Sequence, residues 1–360
     1  MAEAKARPSE TPTIADLYLA FRQAKTAHYF ERRGVGLIEL AEFEAKLPEN
    51  LHALQGVLQE KRWFDGLEPG QTWIVPKRLR TQDSSDGPGV VRIGPTVAPK
   101  LLRALDIQIR LSPHPAFAIV EVLYLWRFGG VLDSLLSDRE VLGYRLDLRD
   151  HRVVPHRRWL FEYWPSRYQQ FRTAPLAAAK RALADDQEIL IISGDLASFY
   201  DTVDPAFLLT DEFLLGLSLA GTSHEDIAEY KVATASLTEA FDRFRADASN
   251  RSGAAIEIGV PIGALTSRVI ANVALAPLDR LISSHPDVLC YRRYVDDFVI
   301  VAKPGRQQRD VVDVLREFLP LRESDDKAVL RIRAEALGRA GSDFQLQIEN
   351  ALVRDQSARA

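Results

Sequence analysis

Two β-prone runs that end on acids constrain this chain more than any other feature. In Ile189-Leu-Ile-Ile-Ser-Gly-Asp195 an apolar run stops abruptly at a carboxylate. A run of that kind suits a strand buried on both faces. An acid at its end emerges at an open edge, where a ligand can reach it. The second run spans Val288 to Ala302 and is interrupted by Tyr294-Val295-Asp296-Asp297. Two strand-forming segments around so short a break predict a hairpin over 287–303 with adjacent acids at its tip.

Taken alone, each piece has an ordinary explanation. A single Asp after a strand is usually a cap, and an Asp-Asp pair in a turn is usually solvated. Brought together, however, adjacent acids repel unless a cation compensates. Mg²⁺ is the natural cation, because it takes hard oxygen ligands, needs only one or two carboxylates and leaves room for substrate phosphates. Two such ions about 3.5–4 Å apart would activate an attacking hydroxyl and stabilise a leaving oxygen. One acid from the first strand and one from the hairpin is the smallest set that bridges them.

Composition bounds the setting for that chemistry. At 360 residues the chain can bury a substantial core, and its charge is dense but balanced, as in globular proteins. No stretch is expected to reach the roughly 18–20 apolar residues of a membrane span. The opening MAEAKARPSETPT lacks the apolar segment of a secretory signal. The single cysteine, Cys290, excludes an internal disulfide and a Cys-rich metal site. A cytoplasmic protein with no membrane partner is expected. The net charge of −4 is unlike that of a chain basic overall, but phosphate contacts depend on local potential, and a positive groove coexists readily with acidic outer faces.

Along the chain, residues 1–13 read as disordered, 14–188 as mostly helical, 189–350 as strands alternating with helices, and 351–360 as a tail. Helices are expected from Ile14, over Leu37–Ala45 and over Leu51–Leu58. A strand follows at Trp73–Lys77, returned by Val90–Gly94 across an exposed turn. Further helices are expected over Lys100–Leu111, Ala116–Leu136, 205–218, 223–247 and 307–319. A Gly-containing entry at 254–263 should lead into a helix apolar nearly all round, restarted at Pro277, with a last strand near Phe344–Ile348. Residues 143–172 combine Arg145, Arg149, Arg152, Arg157 and Arg158 with Trp159, Phe161, Tyr163, Trp164, Tyr168 and Phe171. This suits a strand-binding surface, with guanidinium groups on phosphates and rings on bases. It equally suits a helix with its rings in the core and its Arg residues in water.

The order and flanks of the acids carry a resemblance. Asp195-Leu-Ala-Ser-Phe-Tyr200, followed by Val203-Asp204, resembles the first palm motif of reverse transcriptases. Gly259-Val-Pro-Ile-Gly263-Ala-Leu-Thr-Ser267, continuing to Ala271-Asn272, is similar to the second, and Tyr294–Asp297 matches the third, the YxDD box. The likeness is specific over about 189–302. Asp16–Lys25, Gly143–Leu146 and Ile262, where retroviral and intron enzymes usually carry Gln, resemble bacterial defence-associated and abortive-infection members. The implied fold is α+β: a helical N-terminal and fingers region over 14–188, a ferredoxin-like palm sheet with helices over 189–350, and a reduced or absent thumb. The chain runs only to Ala360 after Asp297, and Lys327 is the one lysine that approximates the usual position after the hairpin.

The resemblance implies roles for individual residues. Asp195, Asp296 and Asp297 would be catalytic and, with the Leu196 carbonyl, would hold two Mg²⁺ ions, with Mn²⁺ as the alternative. A primer 3′-hydroxyl would attack the α-phosphorus of a dNTP and expel pyrophosphate. Tyr200 would be a steric gate against a ribose 2′-hydroxyl, or else a core residue. Gly259, Pro261 and Gly263 would let the backbone approach a base pair, Ser267 would contact template or nucleotide, and Lys77, Arg78 and Arg92 would meet the triphosphate. Arg145, Arg149, Arg157 and Arg158 would contact nucleic acid. The expected activity is RNA-directed DNA synthesis in anti-phage defence, with an RNA template or non-coding RNA, a DNA product, and a partner protein or second copy of the chain. Template-independent or protein-primed synthesis, an RNA polymerase on the same palm, and a non-catalytic scaffold are the alternatives.

Overall fold

Helical periodicity organises the N-terminal part of the chain. The computed structural model describes residues 11–30, 36–60, 63–79, 105–303, 321–322, 330–332 and 344–354. Helices α1 (Ile14–Phe30), α2 (Leu37–Ala45) and α3 (Leu47–Gln59) form where the spacing of apolar residues predicts them, with α3 starting earlier than expected. Pro48 occupies the first turn of α3, where its missing N–H leaves no bond unmade. Leu17, Ala20, Phe21 and Ala24 form the buried stripe of α1, which packs on α4 (Pro115–Ser134). By length and composition α4 could cross a membrane, which corrects the expectation that no stretch qualifies. Yet 78% of its most apolar stretch is enclosed by the protein itself, so its apolarity serves the core.

One expected helix is a strand. Leu105–Pro113 forms β2 and pairs antiparallel with β1 (Gly70–Leu79), in register from Gly70 opposite Pro113 to Leu79 opposite Leu105. Ile107, Ile109 and Leu111 alternate with Gln108, Arg110 and Ser112, a period of two that favours a strand over the predicted helix. The expected partner of β1, Val90–Gly94, and the expected helix over 307–319 lie outside the described residues, as do residues 1–10 of the N-terminal segment.

Beyond the small ribbon of β3 (Leu148–Arg149) and β4 (Arg152–Val153), α5 (Trp164–Ala184) leads into the main sheet. Its strands are β5 (Ile189–Ala197), β6 (Val288–Tyr294), β7 (Asp297–Ala302), β8 (Leu321–Arg322), β9 (Leu330–Ile332) and β10 (Phe344–Arg354). Among the described residues they lie in the order β6-β7-β5-β10-β9-β8, every neighbouring pair antiparallel. β10 continues to Arg354, so the sheet extends into the segment expected to be a tail. Asp195 lies within β5 rather than beyond its end.

Helices cover one face of this sheet. After the short α6 (Phe199–Thr202), the helix expected over 205–218 is split into a 3-10 turn, Pro205–Leu209, and α7 (Asp211–Leu219), because the Thr210 hydroxyl caps the Phe213 N–H at 3.3 Å. The long α8 (His224–Ser252) starts at the Ser223 cap and ends at Gly253. Every residue of α9 (Leu265–Ala274) is buried, and α10 (Ala276–Ser283) restarts at Pro277 as expected. Leu190, Ile192 and Leu196 of β5 and Phe298 and Ile300 of β7 join the main core. Ser193, Asp195 and Asp297 lie half-buried on the opposite face. α5 crosses that second face, where Ala179 and Ala182 pack on Ile189, Cys290 and Val301 at the end remote from the acids.

Candidate active site

Strand register brings the acids together. Asp195 of β5 stands directly opposite Asp297 of β7, and the Leu196 N–H donates to the Asp296 carbonyl at 3.2 Å. The backbone of Leu196 therefore runs against the turn that carries Asp296. The Asp195 carboxyl lies close enough to that of Asp296 to act on it directly. Burial, then the negative charge of Asp195 and, less strongly, that of Asp297, pushes the Asp296 carboxyl up to about 7. Among the described residues no three acidic, His or Cys side chains already converge as a metal-ligand set. The arrangement is a two-carboxylate pair with a third acid alongside, the number Mg²⁺ needs when phosphates complete its shell. A divalent ion fits here because its charge relieves the repulsion between the neighbouring acids.

The turn itself is strained. Val295 has φ 62°, a left-handed conformation that is a true outlier for a β-branched residue. Arg293, wholly buried, holds it: Nη1 donates to the Val295 carbonyl at 2.7 Å and to Asn272 Oδ1 at 2.9 Å. The same guanidinium forks onto Asp279 through Nε at 2.7 Å and Nη2 at 2.6 Å, and Tyr291 donates its hydroxyl to Asp279 at 2.7 Å. Asn272 Nδ2 donates to the Gly143 carbonyl at 2.6 Å. Gly143 has to be glycine: a Cβ there would lie 2.7 Å from the Val295 nitrogen. This support was not anticipated, although the Arg next to Tyr294 and the polar Asn272 in an apolar helix were its visible signals.

Arg145 belongs to that support and not to a nucleic-acid surface, which corrects the expectation for it. Its side chain is 3% exposed and forks onto Asp133 at 3.0 and 2.7 Å, with Asp138 at 2.6 Å and the Ser137 and Val141 carbonyls completing its bonds. It thereby fixes the loop carrying Gly143 and Tyr144. Arg157 is ion-paired with Asp147 and half-exposed, whereas Arg149 and Arg158 are exposed, Arg158 lying over the Trp159 ring.

The segment from Gly259 to Ser267 meets protein closely. Gly263 has φ 120°, and a Cβ there would sit 2.0 Å from the Leu111 carbonyl oxygen; a Cβ on Gly259 would meet Asp201 at 3.1 Å. Both are close approaches to the chain itself. Pro261 is buried, and Val260 N–H donates to the Tyr200 carbonyl at 2.8 Å, joining this segment to α6. Tyr200 is half-buried, packs partly on the main core and lies 5.9 Å from the Phe199 ring. Ser267 is fully enclosed, so the expected contact with template or nucleotide is corrected: no surface exposes it. Instead, Glu121 of α4 reaches the start of α9 and accepts from the Thr266 N–H at 2.9 Å and hydroxyl at 2.6 Å.

Lys77 and Arg78 lie on β1 with side chains outside the described residues, and Arg92 is outside them altogether. Arg110, missed because its segment was read as helix, sits on β2 beside Ile262 and donates Nε to Gln108 at 2.8 Å.

Strand register thus brings the acids of two separate sequence motifs together in the sheet. Residues 150–323 match the family model described as Reverse transcriptase (RNA-dependent DNA polymerase). That segment is just under half of the chain and contains Asp195, the Gly259–Ser267 entry and the Tyr294–Asp297 turn. Such a domain implies fingers and a palm. No curated protein matches the chain.

Proposed function

We propose that this protein is an RNA-directed DNA polymerase that joins dNTPs to a 3′-hydroxyl at Asp195, Asp296 and Asp297. The observation that carries this reading is the pairing of Asp195 with Asp296 beside Asp297, inside the segment that matches reverse transcriptases. Asp195 and Asp296 would hold two Mg²⁺ or Mn²⁺ ions, with Asp297 and the Leu196 backbone beside them. When bound, such ions lower the pKa of the attacking hydroxyl and neutralise charge on the departing pyrophosphate.

The chain supplies positioning. Arg293 and Gly143 keep Asp296 at the tip of a strained turn, so little reorganisation is needed when substrate arrives. Tyr200 is tied to the Gly259–Gly263 segment, and as a steric gate its ring would exclude a ribose 2′-hydroxyl. Arg110, Lys77, Arg78 and Arg92 are the cations offered to the triphosphate. A role in anti-phage defence in the cytoplasm is supported by the resemblance of Asp16–Lys25, Gly143–Leu146 and Ile262.

The purified protein, incubated with Mg²⁺ and each dNTP with and without an RNA template, tests the reading. Template-dependent DNA is expected, and Asp296→Ala should lower its yield by at least on the order of 10²–10³-fold while leaving the fold intact. Equal product without template would point to untemplated or protein-primed synthesis. Preference for ribonucleotides that Tyr200→Ala leaves unchanged would point to an RNA polymerase.

A further inference from the structure

The outer face of α5 differs from the rest of the molecule. The helix carries Arg167, Arg172, Lys180 and Arg181 and no acid, in a chain whose net charge is −4. Trp164, Tyr168, Arg172, Leu176 and Lys180 fall at successive fourth positions, so each neighbours the next along the helix, and all five are exposed. Trp164 is 56% exposed and Tyr168 39%, with Tyr163 beside them at 64%. Arg167 is engaged by Glu162, but Arg172 and Lys180 have no ion-pair partner among the described residues.

The aromatic end of this row is anchored at the catalytic turn. The Tyr168 ring meets the Tyr294 ring edge-on, with centroids 5.2 Å apart and planes at 86°, and Phe171 lies 6.0 Å from Tyr294. α5 also lies across the same sheet face that presents Asp195 and Asp297. From the acids outward, a chain would therefore meet rings first and cations next. Rings bind the face of any base, and cations bind phosphates without regard to sequence.

We infer that the exposed row from Trp164 to Lys180 is a platform for single-stranded nucleic acid beside the acidic turn, with Trp164 and Tyr168 stacking bases and Arg172 and Lys180 taking phosphates. This deepens the polymerase reading and rests on it for the identity of the strand. A folded acidic protein would satisfy the cations as well, but the edge-on contact of Tyr168 with Tyr294 ties this row to the acidic turn, where a nucleic-acid strand would enter.

Anisotropy of a labelled, mixed-sequence single strand, as RNA and as DNA, tests the platform on the full-length protein without synthesis. The double variant W164A/Y168A should bind about tenfold more weakly or worse, and W164F/Y168F should bind close to wild type because the rings remain. R172A/K180A should reduce the dependence of log Kd on log salt by about two, roughly one per phosphate contact. Unchanged binding by W164A/Y168A, with an unchanged unfolding midpoint, overturns the proposal. If that variant is unstable, the salt slope of R172A/K180A decides, and an unaltered slope overturns it. Wild-type protein that shows this binding pattern yet makes no product leaves the platform standing and removes the polymerase reading. Product formed by a protein whose W164A/Y168A variant binds normally does the reverse.

Discussion

Arg293 precedes the acids and vanishes into the protein, and the geometry of the turn depends on it. Its guanidinium is shared between Asp279, Asn272 and the Val295 carbonyl, so it ties β6 to α9, α10 and the strained residue at once. Removing one member of a buried ion pair leaves the other charged and unpaired, which costs about 3–5 kcal/mol. Arg293→Met is therefore expected to destabilise the protein by that amount in denaturant unfolding, and the double variant R293M/D279N should recover part of it. Even where it folds, R293M should lose nucleotide incorporation, because Val295 is released from its left-handed conformation. At this scale the sequence announced the acids and concealed their support. An Asp-Asp pair in a turn invites attention, whereas a buried Arg is indistinguishable from a surface one until its partners, distant in sequence, arrive.

Between elements, the joint of α4 and α9 has a pH-dependent strength. Burial pushes the Glu121 carboxyl up from an ordinary 4.5 to about 7, against hydrogen bonds from Thr266 that favour the ionised form. The unfolded chain thus releases this proton at lower pH than the folded one. Stability from this group is highest below about pH 4.5, falls as pH rises toward 7, and is level above it. The full change is roughly 3 kcal/mol. Glu121→Gln keeps an oxygen for Thr266 but cannot ionise. Unfolding free energies measured from pH 4.5 to 8 should show the variant gaining roughly that amount relative to wild type as pH rises. Gly263→Ala is expected to weaken the same region, since its Cβ would collide with the Leu111 carbonyl and its φ is unfavourable for alanine. A loss of about 1–3 kcal/mol in thermal or chemical unfolding would register it. Elements were legible where a helical pattern ran long, as in α1, α4 and α8. They were misread at Leu105–Pro113, where a short alternating segment becomes a strand only because β1 pairs with it.

For the molecule as a whole, the carboxylate site should make stability depend on divalent metal. An ion that binds only the folded state stabilises it by mass action, about 2.7 kcal/mol at a hundredfold excess over Kd. Titration with Mg²⁺ is expected to raise the unfolding temperature of the wild type and to leave Asp195→Asn and Asp296→Asn nearly unmoved, a readout independent of catalysis. A net charge of −4 obscures the other large-scale feature, the acid-free helix α5. The mixture of Arg and aromatic residues over 143–172, which runs into this helix, was visible in the sequence, but a strand-binding surface and a helix with buried rings were equally compatible with it. Packing separated them: Arg145 went inward to Asp133 and Phe171 into the core, while Trp164, Tyr168, Arg172 and Lys180 stayed outside.

By itself the sequence determined the strand runs, the hairpin and the identity and order of the acids, because apolar periodicity and residue chemistry are local properties. Tertiary structure alone decided that Asp195 faces Asp297 beside Asp296, that Arg293 and Gly143 hold the turn, and that one side of α5 faces water. Each of those depends on register and burial, which arise only when segments far apart in the chain exclude solvent from one another.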